Sequence, residues 1–443
     1  MSESRLPFHE ISPWLEAPAD LQSALDANLD ADVVIVGAGL TGLSTALSLR
    51  AQGADVVLLE RDFAGAGASG RNAGHLTPTI GKDTPTLLRF FGRERASRLL
   101  AFADAAVEYT EETIREFEID CDYRACGNIL AGVHPKHDAR LRKAAAAAAD
   151  LGAHVRFLAR DELRERGVPE AFRSGIFEEL GGHLHPGRYV LGLRRAALTA
   201  GVRLFEGSGI VDLESGARVV ARCEHGSVTA DHAVLATNAY TPGIGRLQRM
   251  IAPLRVQLFE TAPLDEAQLA ELDWRGREGL YTAHEVLESY RLTARNTIVG
   301  GSRVVRHGWG GSLPKAYDRR AFETIEAAFR ERFPTLQGVD VESYWGGWIA
   351  FGMDFLPTLG SDDEHGNVLY GVGYAGHGVA QATLMGAMLA ARVRGDEHEF
   401  EAALRRRSLA WPPEPLRWIA GKLINATLEA LDRRTDRQIR AGR

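Results

Sequence analysis

The segment Ala31 to Glu60, ADVVIVGAGLTGLSTALSLRAQGADVVLLE, restricts the possible folds of this chain more than any other. Ala31 to Val36 is a short apolar run rich in β-branched residues, LSTALSLRAQG has helical apolar spacing, and Asp55 to Glu60 is again a buried-strand pattern. Together they make one βαβ unit that opens a parallel sheet through a right-handed crossover. The turn between strand and helix is GAGLTG, with Gly37, Ala38, Gly39 and Gly42. The first glycine permits the tight turn, the second lets a pyrophosphate approach the backbone, and the third lets helix and strand pack closely. The helix then points its unpaired N–H groups at the phosphates. Glu60, ending the second strand, is the expected carboxylate for a ribose hydroxyl. These features predict dinucleotide binding.

Nicotinamide and flavin dinucleotides share this unit, so the choice rests on residues beyond Glu60. Gly65 to Pro78, GAGASGRNAGHLTP, offers small residues that let backbone approach a planar ring, while Ser69, Arg71 and Asn72 can donate to a phosphate or a ring edge. Far along the chain, GVGYAGHGV at Gly371 to Val379 again joins a strand to a helix. A second helix N-terminus aimed at the ligand suits the negative charge that develops on the pyrimidine side of a reduced flavin. Between these motifs, residues 251 to 310 contain alternating segments such as LRVQLFET and TIVGGSRVV, which predict a more antiparallel sheet. The closing LRWIAGKLINATLEALDRRTDRQIR predicts an amphipathic helix.

The net charge of −7 argues against a nucleic-acid partner. Cys121, Cys126 and Cys223 are too few for a disulfide framework. The amino terminus lacks the apolar core of a signal peptide and no run of about 18 apolar residues occurs, so the expectation is a cytoplasmic protein without an integral membrane segment. His183 and His185 lack a third ligand at metal-site spacing, so no metal is expected. Neither GxSxG nor HExxH is present, which removes the hydrolase readings those motifs carry.

The βαβ segment, GASGRNAGH, GGHLHPGRYVLGL, the pair YRL and VGG near 290 to 301, and GVGYAGHGV resemble the D-amino-acid oxidase (DAO)-type FAD-dependent oxidoreductases, most closely their gamma-glutamylputrescine oxidase-like branch. The resemblance runs from about residue 8 to residue 395. It implies an α/β fold with a Rossmann-like FAD-binding domain of glutathione-reductase type and a substrate domain built on a mixed, largely antiparallel sheet. The implied segments are 31–90, 150–245 and 340–400 for FAD, and 91–149 and 246–339 for substrate. An arm at 1–30 and a helical extension at 401–443 flank them. The reaction implied is oxidation of a C–N bond in a small amine or amino acid, with O2 or another acceptor taking the electrons.

Carried over by position, Gly37, Ala38, Gly39, Gly42, Glu60 and Arg61 hold the ADP half, and Ser69, Arg71, Asn72, Gly74, His75 and Leu76 lie along the ribityl chain and ring. Val211 falls at an adenine contact, Thr237 and Asn238 end a strand beside the pyrophosphate, and Gly373, Tyr374, Ala375, Gly376, His377, Gly378 and Val379 face the flavin carbonyl side. His75, His377 and Asp354 are the catalytic candidates. Arg291 and Arg303 are candidates for a substrate carboxylate, and Tyr290, Trp345 and Trp348 for an aromatic wall. The stretch YWGGWIAFGMDFLP has no cysteine where sarcosine oxidases attach flavin, so noncovalent FAD is expected, with His75 the only nearby residue able to form such a link. TIVGGSR lacks the lysine those oxidases place over the ring, which leaves oxidase and dehydrogenase both open. A nicotinamide-dependent flavin monooxygenase and a noncatalytic flavin-binding protein stand as alternatives, and the number of copies in solution is not fixed by sequence.

Overall fold

A computed structural model describes residues 6–309, 312–314, 317–406 and 409–441. Residues 1–5 of the expected arm, 310–311 and 315–316 of the expected substrate segment, and 407–408 and 442–443 of the expected extension lie outside the described residues.

The first strand, Asn28–Val36, sits mid-sheet because its residues are apolar on both faces: Val33 and Ile35 join one core, Val34 and Val36 another. Its sheet runs Thr358–Ser361, Val368–Val372, Ser227–Leu235, Asn28–Val36, Val56–Leu59, Arg203–Phe205, parallel except for the first pair. One face carries the helices Leu40–Arg50, Pro186–Thr199, Gly378–Val393 and Thr84–Glu116. The short strands Asp212–Glu214 and Val219–Arg222 extend Ser227–Leu235 as an antiparallel meander.

A second eight-stranded sheet runs Val341–Phe351, Ala252–Thr261, Ile298–His307, Glu288–Leu292, Gly279–Thr282, Asn128–Gly132, Ser174–Glu178, Val155–Leu158. Only Gly279–Thr282 against Asn128–Gly132 is parallel. Its outer face is closed by the helix Arg319–Arg332, whose Phe322, Ile325 and Phe329 are buried there.

Three boundaries differ from expectation. Val155–Leu158 and Ser174–Glu178 fall inside the expected FAD segment 150–245 but pair antiparallel with each other, and Ser174–Glu178 also pairs with Asn128–Gly132, in the second sheet. Val341–Phe351 opens the expected segment 340–400 but pairs along its whole length with Ala252–Thr261. Conversely, the helix Thr84–Glu116, most of which was expected in the substrate domain, buries Leu99, Phe102 and Ala106 in the core of the first sheet's helices. Backbone pairing and apolar contact set these boundaries, and both act between segments distant in sequence.

Candidate active site

The turn after Asn28–Val36 closes as its glycines require. Gly37 has φ +102, and a methyl group at Gly42 would lie 1.9 Å from the Gly37 carbonyl oxygen, so helix and turn touch directly. Gly39 is pressed by Ser69, whose Oγ accepts the Leu40 N–H at 3.0 Å. Glu60 accepts the N–H groups of Ala38 (2.8 Å) and Asp62 (3.0 Å). Burial raises its carboxyl pKa, and these two N–H donors oppose the shift.

These residues line one end of a cleft of about 500 Å³ that passes between the two sheets. Of the expected cofactor residues, Gly37, Gly39, Glu60, Arg61, Ser69, Arg71, Asn72, Thr237, Asn238, Tyr374, Gly376, Gly378 and Val379 form its wall. Gly42 and Ala38 lie just behind it. Asn238, left-handed at φ +41, accepts the Gly373 N–H at 3.0 Å, and the Tyr374 hydroxyl lies 2.7 Å from Thr41 Oγ1. Three glycine-rich turns from distant parts of the chain are thereby tied around one space. The helix Gly378–Val393 opens on it with its N-terminus, a favourable end for negative charge.

Two of the wall residues also brace the loop. Arg71 is buried, donating through Nε to the Ala66 carbonyl (2.7 Å) and through a terminal nitrogen to Glu10 (2.6 Å) and Gly346 (3.3 Å). Asn72 donates to the Ser69 carbonyl and accepts the Gly74 N–H. The expected arm takes part: Ser12 Oγ and Trp14 Nε1 both donate to the Gly70 carbonyl.

Several expected site residues stand elsewhere. Val211 is 72% exposed and its N–H goes to the Arg222 carbonyl, because the meander begins there; Ser208, Gly209 and Ile210 line the cleft instead. Tyr290 faces the outer side of its strand, packed on Phe329 and Phe333. Arg291 is on the inner side but donates to the Ala73 carbonyl and stacks over Trp14, so its charge braces the loop before Gly74. Arg303 is held by Asp432, Asp436 and Glu288 beneath the C-terminal helix, away from the cleft. Asp354 is bound by Arg406, with its Oδ1 also accepting the Leu356 N–H. Gly373 and Ala375 shape the last turn without reaching the wall.

His75, Leu76, Gly74 and His377 are not among the residues lining the cleft. Asn128 Nδ2 donates to the Leu76 carbonyl, so Asn128 Oδ1 faces His75 Nδ1 at 3.2 Å and that nitrogen carries the proton. His377 Nδ1 faces the Ala375 carbonyl at 3.1 Å. Burial pushes both imidazoles down to about 4, aided at His75 by the Arg291 charge, so each is neutral near pH 7.

Sequence reading did not single out Arg255, Gly346 or Ile349, all on the second sheet's side of the cleft. Arg255 Nε and Trp348 Nε1 are buried, line the cleft and have no partner among the described residues. The one available signal was a charged residue inside the apolar run LRVQLFET. The glycine cradle on one side and orphaned donors on the other fit an extended dinucleotide carrying negative charge.

Residues 32–392 match the family model described as FAD dependent oxidoreductase, DAO. Gamma-glutamylputrescine oxidoreductase of Escherichia coli (strain K12) is 30% identical over 408 residues, spanning 91% of this chain and 92% of that protein. Glycine oxidase from Geobacillus kaustophilus superposes with a TM-score of 0.74 at 18% identity, over 86% of this chain and all of that one. L-proline dehydrogenase from P. horikoshii gives 0.71 at 16% identity, over 84% and 96%. Among the described residues no helix is long and apolar enough to cross a membrane.

Proposed function

The chain belongs to the DAO family of FAD-dependent oxidoreductases, and from that membership we propose that it oxidises the C–N bond of a small amine or amino acid. The observation that carries the reading is the cleft itself. It is walled by the glycine-rich turns of one sheet and by Trp348, Ile349 and Arg255 of the other. The relation to an oxidoreductase named for gamma-glutamylputrescine, over nearly the whole of both chains, gives the donor class.

When bound in the cleft, FAD would supply a two-electron acceptor for a hydride from the substrate α-carbon, with the resulting imine hydrolysing in water and O2 or another acceptor taking the electrons. The chain's residues orient and desolvate. Gly37, Gly39 and the N-terminus of Leu40–Arg50 would receive the phosphates, with Glu60 at the ribose end. The N-terminus of Gly378–Val393 favours negative charge at the opposite end. The substrate amine must be neutral to release hydride, and the apolar surroundings of Trp348 and Ile349 favour that form. FAD is held noncovalently in this reading, which is supported by the absence of Cys121, Cys126 and Cys223 from the cleft wall.

The test is anaerobic addition of polyamines, N-methyl amino acids, D- and L-amino acids and proline analogues to the purified holoprotein. Bleaching of the flavin band at ~450 nm by one class is expected and names the donor. A flavin that resists the whole panel but is reduced by a nicotinamide would replace this reading with a monooxygenase.

A further inference from the structure

The amino-terminal arm crosses from one sheet to the other along the loop that walls the cleft. At Pro7 to His9 it joins Val341–Phe351, the strand at the end of the second sheet: the Tyr344 N–H donates to the Pro7 carbonyl (2.7 Å) and the His9 N–H to the Tyr344 carbonyl (2.8 Å). Leu15 then enters the core of the first sheet's helices. Farther on, the Gln22 N–H donates to Glu206, the carboxylate that also accepts the Ala64 N–H and pairs with the buried Arg194. The Leu25 N–H donates to Ser208 Oγ, and Ser208 is a wall residue. The arm is thus fixed at both ends and touches the wall's supports at each.

Between these anchors lies the loop 65–72, which gives the cleft much of its wall although its only regular structure is the short turn Ala68–Gly70. Its polar groups on the far side go to the arm. The Gly70 carbonyl accepts both Ser12 Oγ (2.8 Å) and Trp14 Nε1 (3.2 Å), which uses its two lone pairs. Arg71 donates to the Glu10 carbonyl, and its own carbonyl accepts the indole N–H of Trp345 at 2.9 Å. Trp345 is buried, does not line the cleft, and packs edge-on against Trp14 with centroids 4.9 Å apart. The fit leaves no slack. A methyl group at Gly70 would lie 2.1 Å from Leu15 Cδ2, and one at Gly187 would lie 2.2 Å from the Trp14 carbonyl oxygen. The loop therefore stands between cleft and arm, and whatever fixes it from one side favours binding on the other, a coupling that is reciprocal by linkage. We propose, on the reading that FAD lies in this cleft, that residues 8–15 are a strap that positions the wall 65–72, with strap docking and FAD binding strengthening each other. Ser12 and Trp14 are its positioning residues. Neither lines the cleft, and each acts through Gly70 and Arg71.

Two independent variants of the full chain test this. Trp14→Phe keeps a ring on Trp345 but removes the N–H that Gly70 accepts. Gly187→Ala stands outside the cleft wall, in the helix Pro186–Thr199, and reaches the loop only by pushing on the Trp14 backbone. The readouts are FAD titration of the apoprotein, hydrogen exchange of the amides in 8–15 with and without FAD, and the melting temperatures of both forms. In the wild type, bound FAD is expected to slow exchange in the strap at least about tenfold. Both variants are expected to raise the FAD dissociation constant about fivefold or more and to shrink that protection. An arm with a merely structural role would instead lower the melting temperatures of apo- and holoprotein alike and leave FAD affinity at the wild-type value, which overturns the proposal. Strap exchange that is the same with and without FAD overturns it too. Gly42→Ala, whose clash lies inside the phosphate turn, separates this outcome from failure of the cleft reading. Weakened FAD binding in Gly42→Ala beside unchanged affinity in both arm variants removes the strap alone, whereas unchanged affinity in all three removes FAD from the cleft and the strap's role with it.

Discussion

A methyl group at Gly42 would meet the Gly37 carbonyl oxygen at 1.9 Å, and that oxygen belongs to the phosphate turn itself. Gly42→Ala must therefore push helix and turn apart, an overpacking cost of about 1–3 kcal/mol that falls on the bound cofactor as much as on the fold. FAD affinity is expected to drop about tenfold or more, read as the ratio of flavin to protein absorbance and by titration of the apoprotein; unchanged affinity would place the phosphates elsewhere. The same scale governs the pH profile. His75 and His377 titrate at about 4, because burial favours their neutral forms, so neither changes charge between pH 5 and 8. A rising limb of kcat/KM in that range then belongs to the substrate amine, and it should move with the amine's own pKa across a substrate series. A limb that stays fixed while the substrate changes would assign it to an enzyme group. Residue roles were legible in the sequence where backbone geometry dictates residue type, as at Gly37, Gly39 and Gly42. They were not legible where a polar side chain both lines the cleft and bonds its own loop, as Arg71 and Asn72 do, and nothing in ASGRN distinguishes the two.

Elements hold the misassigned charges, and the reason is distance along the chain. Arg303 is bound by Asp436, 133 residues away, and Asp354 by Arg406, 52 residues away, so the partner that consumes each charge is invisible to any local motif. The expected aromatic wall holds at Trp348, which lines the cleft, but not at Tyr290, which strand alternation sends to the outer face against Phe329 and Phe333. By contrast, the parallel strands and their crossover helices were legible because each is specified by a contiguous run. Arg303 provides the test at this scale. Removing it leaves Asp432 and Asp436 short of a buried countercharge, which costs about 3 kcal/mol. Arg303→Met should lower the melting temperature by several degrees and raise hydrogen exchange along Leu416–Ala441, while KM and kcat stay within about twofold. A large rise in KM without loss of stability would return Arg303 to the substrate site.

At the scale of the whole molecule, the cleft lies between the two sheets and takes its wall from both. Gly37, Glu60 and Thr237 come from the first sheet's turns, while Arg255, Gly346 and Trp348 come from the second sheet, and the buried Arg255 Nε and Trp348 Nε1 have no partner among the described residues. A dinucleotide spanning the cleft thus supplies contacts that neither sheet provides to the other, so its binding energy adds to the stability of both together. By mass action, FAD at 100 times its dissociation constant stabilises the native state by about 2.7 kcal/mol. A fragment reaching only one end binds more weakly and should do less at the same concentration. ADP can satisfy the turn of Gly37 and Glu60 but cannot extend to Trp348 and the N-terminus of Gly378–Val393. Scanning fluorimetry of the apoprotein should therefore show a melting temperature raised by several degrees with FAD and by clearly less with ADP at equal concentration. The Trp348→Phe variant, which removes the orphaned indole N–H but keeps an aromatic ring, should narrow the gap between the two ligands without altering the response to ADP. Equal shifts from FAD and ADP would mean that the second sheet makes no contact with the cofactor, and the cleft would then serve the adenine half alone.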